Sequence, residues 1–208
     1  MANPQHTPPP GARTSPSTQR NREPILQVLK ACLPASGTVV EIASGAGEHA
    51  AYNAAALPHL LWRPTDADDE ALASIAAWRD HLDLPNLLEP IRLDASDPDG
   101  WPIDAADAVV NINMIHIAPW SATQGLMAGA GRLLSSGGVL FLYGPYLEDD
   151  VDTALGNVEF DQSLRRRNPL WGIRRLEAVA AEAARHGLGL SERIAMPANN
   201  LSLIFRKT

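Results

Sequence analysis

Apolar positions along the chain follow two rhythms. In "TVVEIA" (Thr38–Ala43) they run almost unbroken, as in a strand buried on both faces. In "EPILQVLKACL" they recur every three or four residues (Ile25, Leu26, Leu29, Cys32, Leu33), as in a helix with one covered face. Pro24 suits the first turn of that helix, and Pro34 lies just past its end. After the glycine turn, "GEHAAYNAAAL" predicts a second helix. "HLLWRPT" predicts a second strand, and "DADDEALASIAAWRDHL" a helix whose acidic start favours its own dipole. "LLEPIRLDA" predicts a third strand, weakened by Pro90 in its middle.

The same alternation continues. "DAVVNINMI" reads as a fourth strand, "SATQGLMAGAGRLL" as a helix carrying three glycines, and "GGVLFLYGPY" as a fifth strand. Leu147 to Leu170 reads as irregular and polar, longer than an ordinary connection, and suited to a lid or binding loop. "GIRRLEAVAAEAARHGL" predicts a helix with Gly187 past its end. "LGLSERIAM" and "LSLIFRKT", separated only by "PANN", predict an antiparallel pair. Strands alternating with helices imply an α/β fold: a mostly parallel seven-stranded sheet, a C-terminal antiparallel hairpin, and helices on both faces. Ligands of such sheets bind beyond the carboxyl ends of the strands. Residues 1–18 are proline-rich with almost nothing apolar, and are expected to be a disordered tail before one domain at 19–208. The alanine-rich helices with their glycines suit either a dimer face or ordinary packing on the sheet, so the oligomeric state stays open.

Composition narrows the function. The chain has 208 residues, 45% apolar, with a formal net charge of −7, which argues against neutralising a nucleic-acid backbone. Its single cysteine, Cys32, excludes a disulfide framework and any multi-cysteine metal site. No metal site is expected. No run approaches the roughly 18 apolar residues of a membrane span, and no apolar N-terminal block resembles a secretion signal. A soluble cytoplasmic protein without membrane or nucleic-acid partners is the expectation.

"VVEIASGAGEHAA" is the most informative stretch. A P-loop is excluded because the turn lacks a Gly-Lys-Ser/Thr ending. NAD is a rival, since Gly45–Ala50 matches G-x-G-x-x-A and Asp66 lies about twenty residues on. Glu48, however, puts a negative charge where a pyrophosphate would sit. S-adenosylmethionine carries no phosphate, and its ammonium and ribose hydroxyls favour carboxylates. Glu41, Asp66 and Asp94 follow three successive strands and offer them. Each also has a plainer reading as a helix cap.

At this point "EIASGAG" resembles the acidic-x-Gly-x-Gly-x-Gly motif of class I S-adenosylmethionine-dependent methyltransferases, with Ala43 replacing the first glycine. Alanine there allows a tight turn and calls for an ordinary backbone conformation. "RNREPIL", "EIASGAGEHA", "WRPTDAD", "NMIHIAPW", "LYGPY", "FDQSLRRRNPLWGI" and "MPANNLSLIF" together resemble the methyltransferase-like 26 family, also catalogued as domain of unknown function 938. The resemblance implies a Rossmann-like methyltransferase fold and S-adenosylmethionine as cofactor. It further implies that Glu41 and the turn of Ala43, Ser44, Gly45 and Gly47 hold the methionine moiety. Asp66 would take the ribose, Asp94 and Ala95 the adenine, while Asn113 and Met114 line the cofactor.

Methyl transfer from a sulfonium asks the protein mainly to position the acceptor and exclude water. A hydroxyl nucleophile needs a base, and His116, just past the fourth strand, is the candidate, with simple packing as its competing role. Tyr143 and Tyr146 follow the fifth strand on the same rim and are candidates to shape an acceptor pocket. Arg20, Asn21 and Arg22 precede the apolar helix and could bind an anionic group of cofactor or acceptor. Asn200 faces either a turn or the acceptor. Arg165–Arg167 reads as a solvated face or a carboxylate partner. The function expected is a methyltransferase with a small-molecule acceptor. The alternatives are a non-catalytic domain on the same fold and, behind it, a nicotinamide oxidoreductase.

Overall fold

The computed structural model describes residues 8–208. Among the described residues nine strands are present: β1 Gly37–Ile42, β2 Leu60–Asp66, β3 Ile91–Arg92, β4 Ala106–Ile112, β5 Leu134–Gly144, β6 Tyr146–Leu147, β7 Arg174–Arg175, β8 Leu188–Met196 and β9 Asn200–Lys207. The helices are α1 Pro16–Cys32, α2 Glu48–Ala56, α3 Asp69–Leu82, α4 Trp120–Leu133, α5 Leu155–Arg167 and α6 Leu176–Ala184. Seven strands form the main sheet in the order β3-β2-β1-β4-β5-β9-β8, and β9 runs antiparallel to both neighbours. Strand order reverses between β1 and β4, which places the binding crevice at their carboxyl ends.

Side-chain parity divides the core. Val39, Val110 and Phe141 pack with Ile25, Leu29, Ala50 and Trp78 beneath α1, α2 and α3. Val40, Ile42, Val109 and Leu140 pack with Leu126, Ala130 and Val179 beneath α4 and α6. The apolar runs of β1, β4 and β5 therefore serve both faces. Pro90 has the expected effect: β3 keeps only two residues, and Leu87 makes only an isolated bridge to Trp62.

Three sequence-based expectations are corrected. The first concerns residues 8–18, expected to be disordered; Met1–Thr7 lie outside the described residues. Arg13 N donates to Ser74 Oγ at 2.7 Å, Trp78 Nε1 donates to Arg13 O at 3.2 Å, and α1 already starts at Pro16. Polar backbone bonds to α3 hold a segment that has almost no apolar surface of its own. Pro16 takes the first-turn position foreseen for Pro24, which lies inside the helix. There it leaves the Arg20 carbonyl without its usual donor.

The second is the supposed irregular segment, which contains the thirteen-residue α5. Its helical signal is thin because the helix has one buried apolar side chain, Leu164. An Asp161–Arg165 pair at 2.7 Å supports its exposed side. The third is the following helix, which begins only at Leu176 because Arg174 and Arg175 pair in parallel with Tyr146 and Leu147. That short ladder joins the two ends of the segment carrying α5. The glycines of α4 face inward: a Cβ on Gly125 would lie 2.0 Å from Ala95 O, and one on Gly129 would lie 2.2 Å from the Trp101 ring.

Candidate functional site

Beyond the strand ends lie two neighbouring cavities. The smaller, about 310 Å³, is bordered by Ala43, Asp66, Asp94, Ala95 and Met114. The larger, about 710 Å³, is walled by Arg20 and Asn21 of α1, Asn113 and His116 after β4, Tyr143 of β5, and the inner face of α5. Consecutive residues, Asn113 and Met114, border one cavity each.

The glycine turn is built by hydrogen bonds among its own parts. Gly45 N donates to Asp66 Oδ2 at 2.8 Å, and Ser44 N donates to Thr65 O at 2.8 Å. Gly45 has φ +56 and open space where a Cβ would be, so its backbone is accessible to a ligand. Asp66 Oδ1 accepts from Asp68 N at 3.0 Å, leaving each carboxylate oxygen a further lone pair. Asp94 Oδ1 is held by Ser96 N and Oγ at 2.8 and 2.7 Å.

Ala43 departs from expectation: its φ is +57, the left-handed region, not an ordinary conformation. An L-residue there costs about 1–2 kcal/mol. Six described non-glycine residues have positive φ, and four of them border a cavity: Ala43, Asn113, Ala198 and Asn199. Concentrated strain of this kind marks ligand sites.

Several expected site residues turn away. Parity puts the Glu41 side chain on the α1–α3 face with Val39, and it borders neither cavity. It is buried and its Oε2 accepts from Trp62 Nε1 at 2.7 Å. Burial pushes its pKa up to about 7. Ser44 Oγ is spent on Glu41 O and Thr65 N, both at 3.3 Å. Gly47 packs on α3, where a Cβ would lie 2.9 Å from Ile75 Cα. Arg22 pairs with buried Glu48 at 3.4 Å and lies 4.8 Å over the Tyr52 ring. Ser15 N adds a 3.1 Å bond to Glu48, so this carboxylate in the first turn of α2 is held by α1 and its N-cap residue. Tyr146 is buried in the α4–α6 core and borders a third cavity, since its odd spacing from Tyr143 in extended chain puts it on the opposite face of the sheet.

The residues that do meet at the larger cavity have distinct characters. His116 is 5% exposed, and burial, aided by Arg174 and Arg167, lowers its pKa to about 4. Its ring has no hydrogen-bond partner among the described residues and stands edge-on to Phe160 at 5.5 Å. Gly144 permits this placement, since a Cβ there would lie 3.3 Å from Nδ1. Arg174 ties the turn after β4 to the end of the α5 segment through Ala118 O at 2.8 Å and Leu170 O at 2.7 Å. Burial raises the Tyr143 pKa, opposed by a hydrogen bond with Asn21. Asn21 Oδ1 also meets His49 Nε2 at 2.9 Å. Asn200 borders the cavity while its Nδ2 donates to Pro197 O at 3.0 Å, so it serves turn and rim together.

The sequence reading missed Asn157 and Phe160, and took Arg167 only as part of a solvated face or as a carboxylate partner. With Leu164 they follow the spacing 3, 4, 3, one face of a helix, a signal present in the sequence but hidden by the surrounding polar residues.

This strand order, with a crevice at the switch point and a strained turn after β1, defines the Rossmann-like fold of class I methyltransferases. The chain belongs to the family described as "Protein of unknown function (DUF938)", whose family model matches residues 12–207. Among solved structures it is similar to an O-methyltransferase family protein from Burkholderia thailandensis (TM-score 0.78, 19% identity, 92% of this chain and 57% of that one). It is also similar to an O-methyltransferase family 2 protein from Planctomyces limnophilus in complex with apigenin (0.76, 19%, 92% and 60%). A third is human N-acetylserotonin methyltransferase in complex with SAM (0.73, 14%, 92% and 52%). The chain thus spans little more than half the length of these structures. Among the described residues no helix is long and apolar enough to cross a membrane.

Proposed function

We propose that the chain is an S-adenosylmethionine-dependent methyltransferase with a small-molecule acceptor, akin to the methyltransferase-like 26 family. The observation that carries this reading is the pair of adjoining cavities, one rimmed by Asp66 and Asp94, the other roofed by α5. The cofactor fits the smaller cavity by chemistry. Asp66 and Asp94 retain acceptor capacity for ribose and adenine, Ala95 and Met114 supply apolar contact, and the open backbone at Gly45 leaves room for the methionine moiety. When bound, S-adenosylmethionine supplies a methyl group on a sulfonium leaving group. Glu41, Ser44 and Gly47 then act at one remove, fixing the shape of the turn. Glu48, ion-paired at the N-terminus of α2, speaks against a pyrophosphate cofactor.

The chain's own part in the chemistry is positioning. Asn113 and Tyr143 orient the acceptor, and α5 excludes water from above. His116 is neutral at physiological pH and can accept a proton at either ring nitrogen. With its pKa near 4 and two guanidiniums nearby, it is a weak base. Calorimetric titration with S-adenosylmethionine, S-adenosylhomocysteine and NAD tests the assignment. Binding of the first two alone is expected; binding of NAD alone would overturn it.

A further inference from the structure

The two cavities carry opposite charge. Among the described residues the smaller has two carboxylates and no cation on its rim. The larger has two guanidiniums, Arg20 and Arg167, and no carboxylate among the described residues, in a chain whose net charge is −7. Most arginines here are matched to carboxylates: Arg13, Arg22, Arg79, Arg92, Arg165, Arg175, Arg185 and Arg193 all are. Arg20 and Arg167 have no such partner among the described residues. Arg167 makes only a 3.4 Å bond from Nε to Ser163 O and lies 5.8 Å over the Trp171 ring, so its terminal nitrogens are free. They approach from different elements, α1 and the end of α5, on walls of one cavity that the aromatic side chains of Phe160 and Tyr143 also line.

A guanidinium on a cavity wall without a carboxylate partner gains most from a carboxylate, which it can bind through two parallel N–H groups. His116 points the same way. It has no carboxylate to support an imidazolium, and Arg174 and Arg167 oppose one, so this site is poorly built to ionise a neutral alcohol. An acceptor already anionic at neutral pH suits it.

Building on the methyltransferase reading, we propose that the larger cavity selects an organic carboxylate with a flat apolar body. The carboxylate is held between Arg20 and Arg167, and the body lies against Phe160 and Tyr143.

The test is ligand-observed NMR titration of the full chain, saturated with S-adenosylhomocysteine, using benzoate, benzamide and benzylamine as probes. Benzoate is expected to bind at least tenfold more tightly than either of the others. R167Q and R20Q are each expected to weaken benzoate at least fivefold while leaving S-adenosylhomocysteine affinity within twofold. R167K should recover part of the loss. R166Q, an exposed neighbour that borders neither of the two cavities, should change benzoate binding less than twofold. All three arginines are exposed, so folding is not at stake. Equal binding of benzamide or benzylamine would overturn the proposal. So would an R166Q effect as large as that of R167Q, or an R20Q loss confined to S-adenosylhomocysteine. Binding of S-adenosylhomocysteine without benzoate overturns the carboxylate proposal alone, whereas failure of S-adenosylhomocysteine itself overturns the methyltransferase reading beneath it.

Discussion

Glu41 shows how far residue type and residue position can diverge. A carboxylate after an apolar run reads as a cofactor ligand, yet strand parity turns this one under α2, against the Trp62 indole. There it is buried, with its pKa up to about 7 through desolvation, opposed by Trp62 and Ser44 and aided by Asp66. The native state therefore holds a proton on Glu41 between about pH 4.5 and 7, where an unfolded chain does not. Stability from this group is full below pH 4.5 and is lost as pH rises through 7, by roughly 3 kcal/mol for a shift of this size. Glutamine keeps the acceptor oxygen without the charge. E41Q is thus expected to match the wild type at pH 5 and to be more stable by about that amount at pH 8, as read from chemical denaturation at the two pH values. A constant difference between the proteins would refute a protonated Glu41. Asp66 and Asp94, by contrast, were legible as crevice residues because the first ends β2 and the second lies two residues past β3, where side chains meet the open rim whatever their parity.

At the scale of elements, close approaches decide function that periodicity cannot show. The glycines of α4 left a dimer face and sheet packing equally open, and only the structure shows Gly125 against the Ala95 carbonyl at the rim of the smaller cavity. Gly156 in the first turn of α5 has nothing within 4 Å of a Cβ position. The same substitution should therefore have opposite signs. G125A is expected to cost about 1–3 kcal/mol by overpacking and to weaken S-adenosylhomocysteine as the 94–96 turn is displaced. G156A is expected to gain up to about 1 kcal/mol from helix propensity and to leave that affinity unchanged. Thermal unfolding and calorimetry read both, and equal behaviour of the two variants would refute the packing argument. The sheet, its order of elements and the antiparallel end were legible because long apolar runs carry them. α5 was not, because one buried leucine and a stripe of cavity-facing residues give a helix little apolar signal.

On the whole-molecule scale, the site and the stability of the fold share the same buried charges. His49 and His116 are both held neutral, each with its pKa lowered to about 4 chiefly by burial, with Arg22 beside the first and Arg174 and Arg167 beside the second. For such a histidine the unfolded chain protonates first. Stability is full above about pH 6.5 and falls as pH drops toward 4. Glu41 has the opposite sign over much of that range, since there the native state binds the extra proton. Between about pH 4.5 and 6.5 two histidine protons favour unfolding and one carboxyl proton opposes it, a net slope of about one proton. Between about pH 6.5 and 7 only the carboxyl acts, and stability declines slightly as pH rises. The wild type is thus expected to be most stable near pH 6.5, and its acid limb to steepen from about one proton to about two in E41Q. Denaturant unfolding at half-unit pH steps measures both slopes. An acid limb unchanged in E41Q would mean that native Glu41 binds no extra proton, and an E41Q limb well short of two protons would mean that His49 and His116 are not both held neutral by burial.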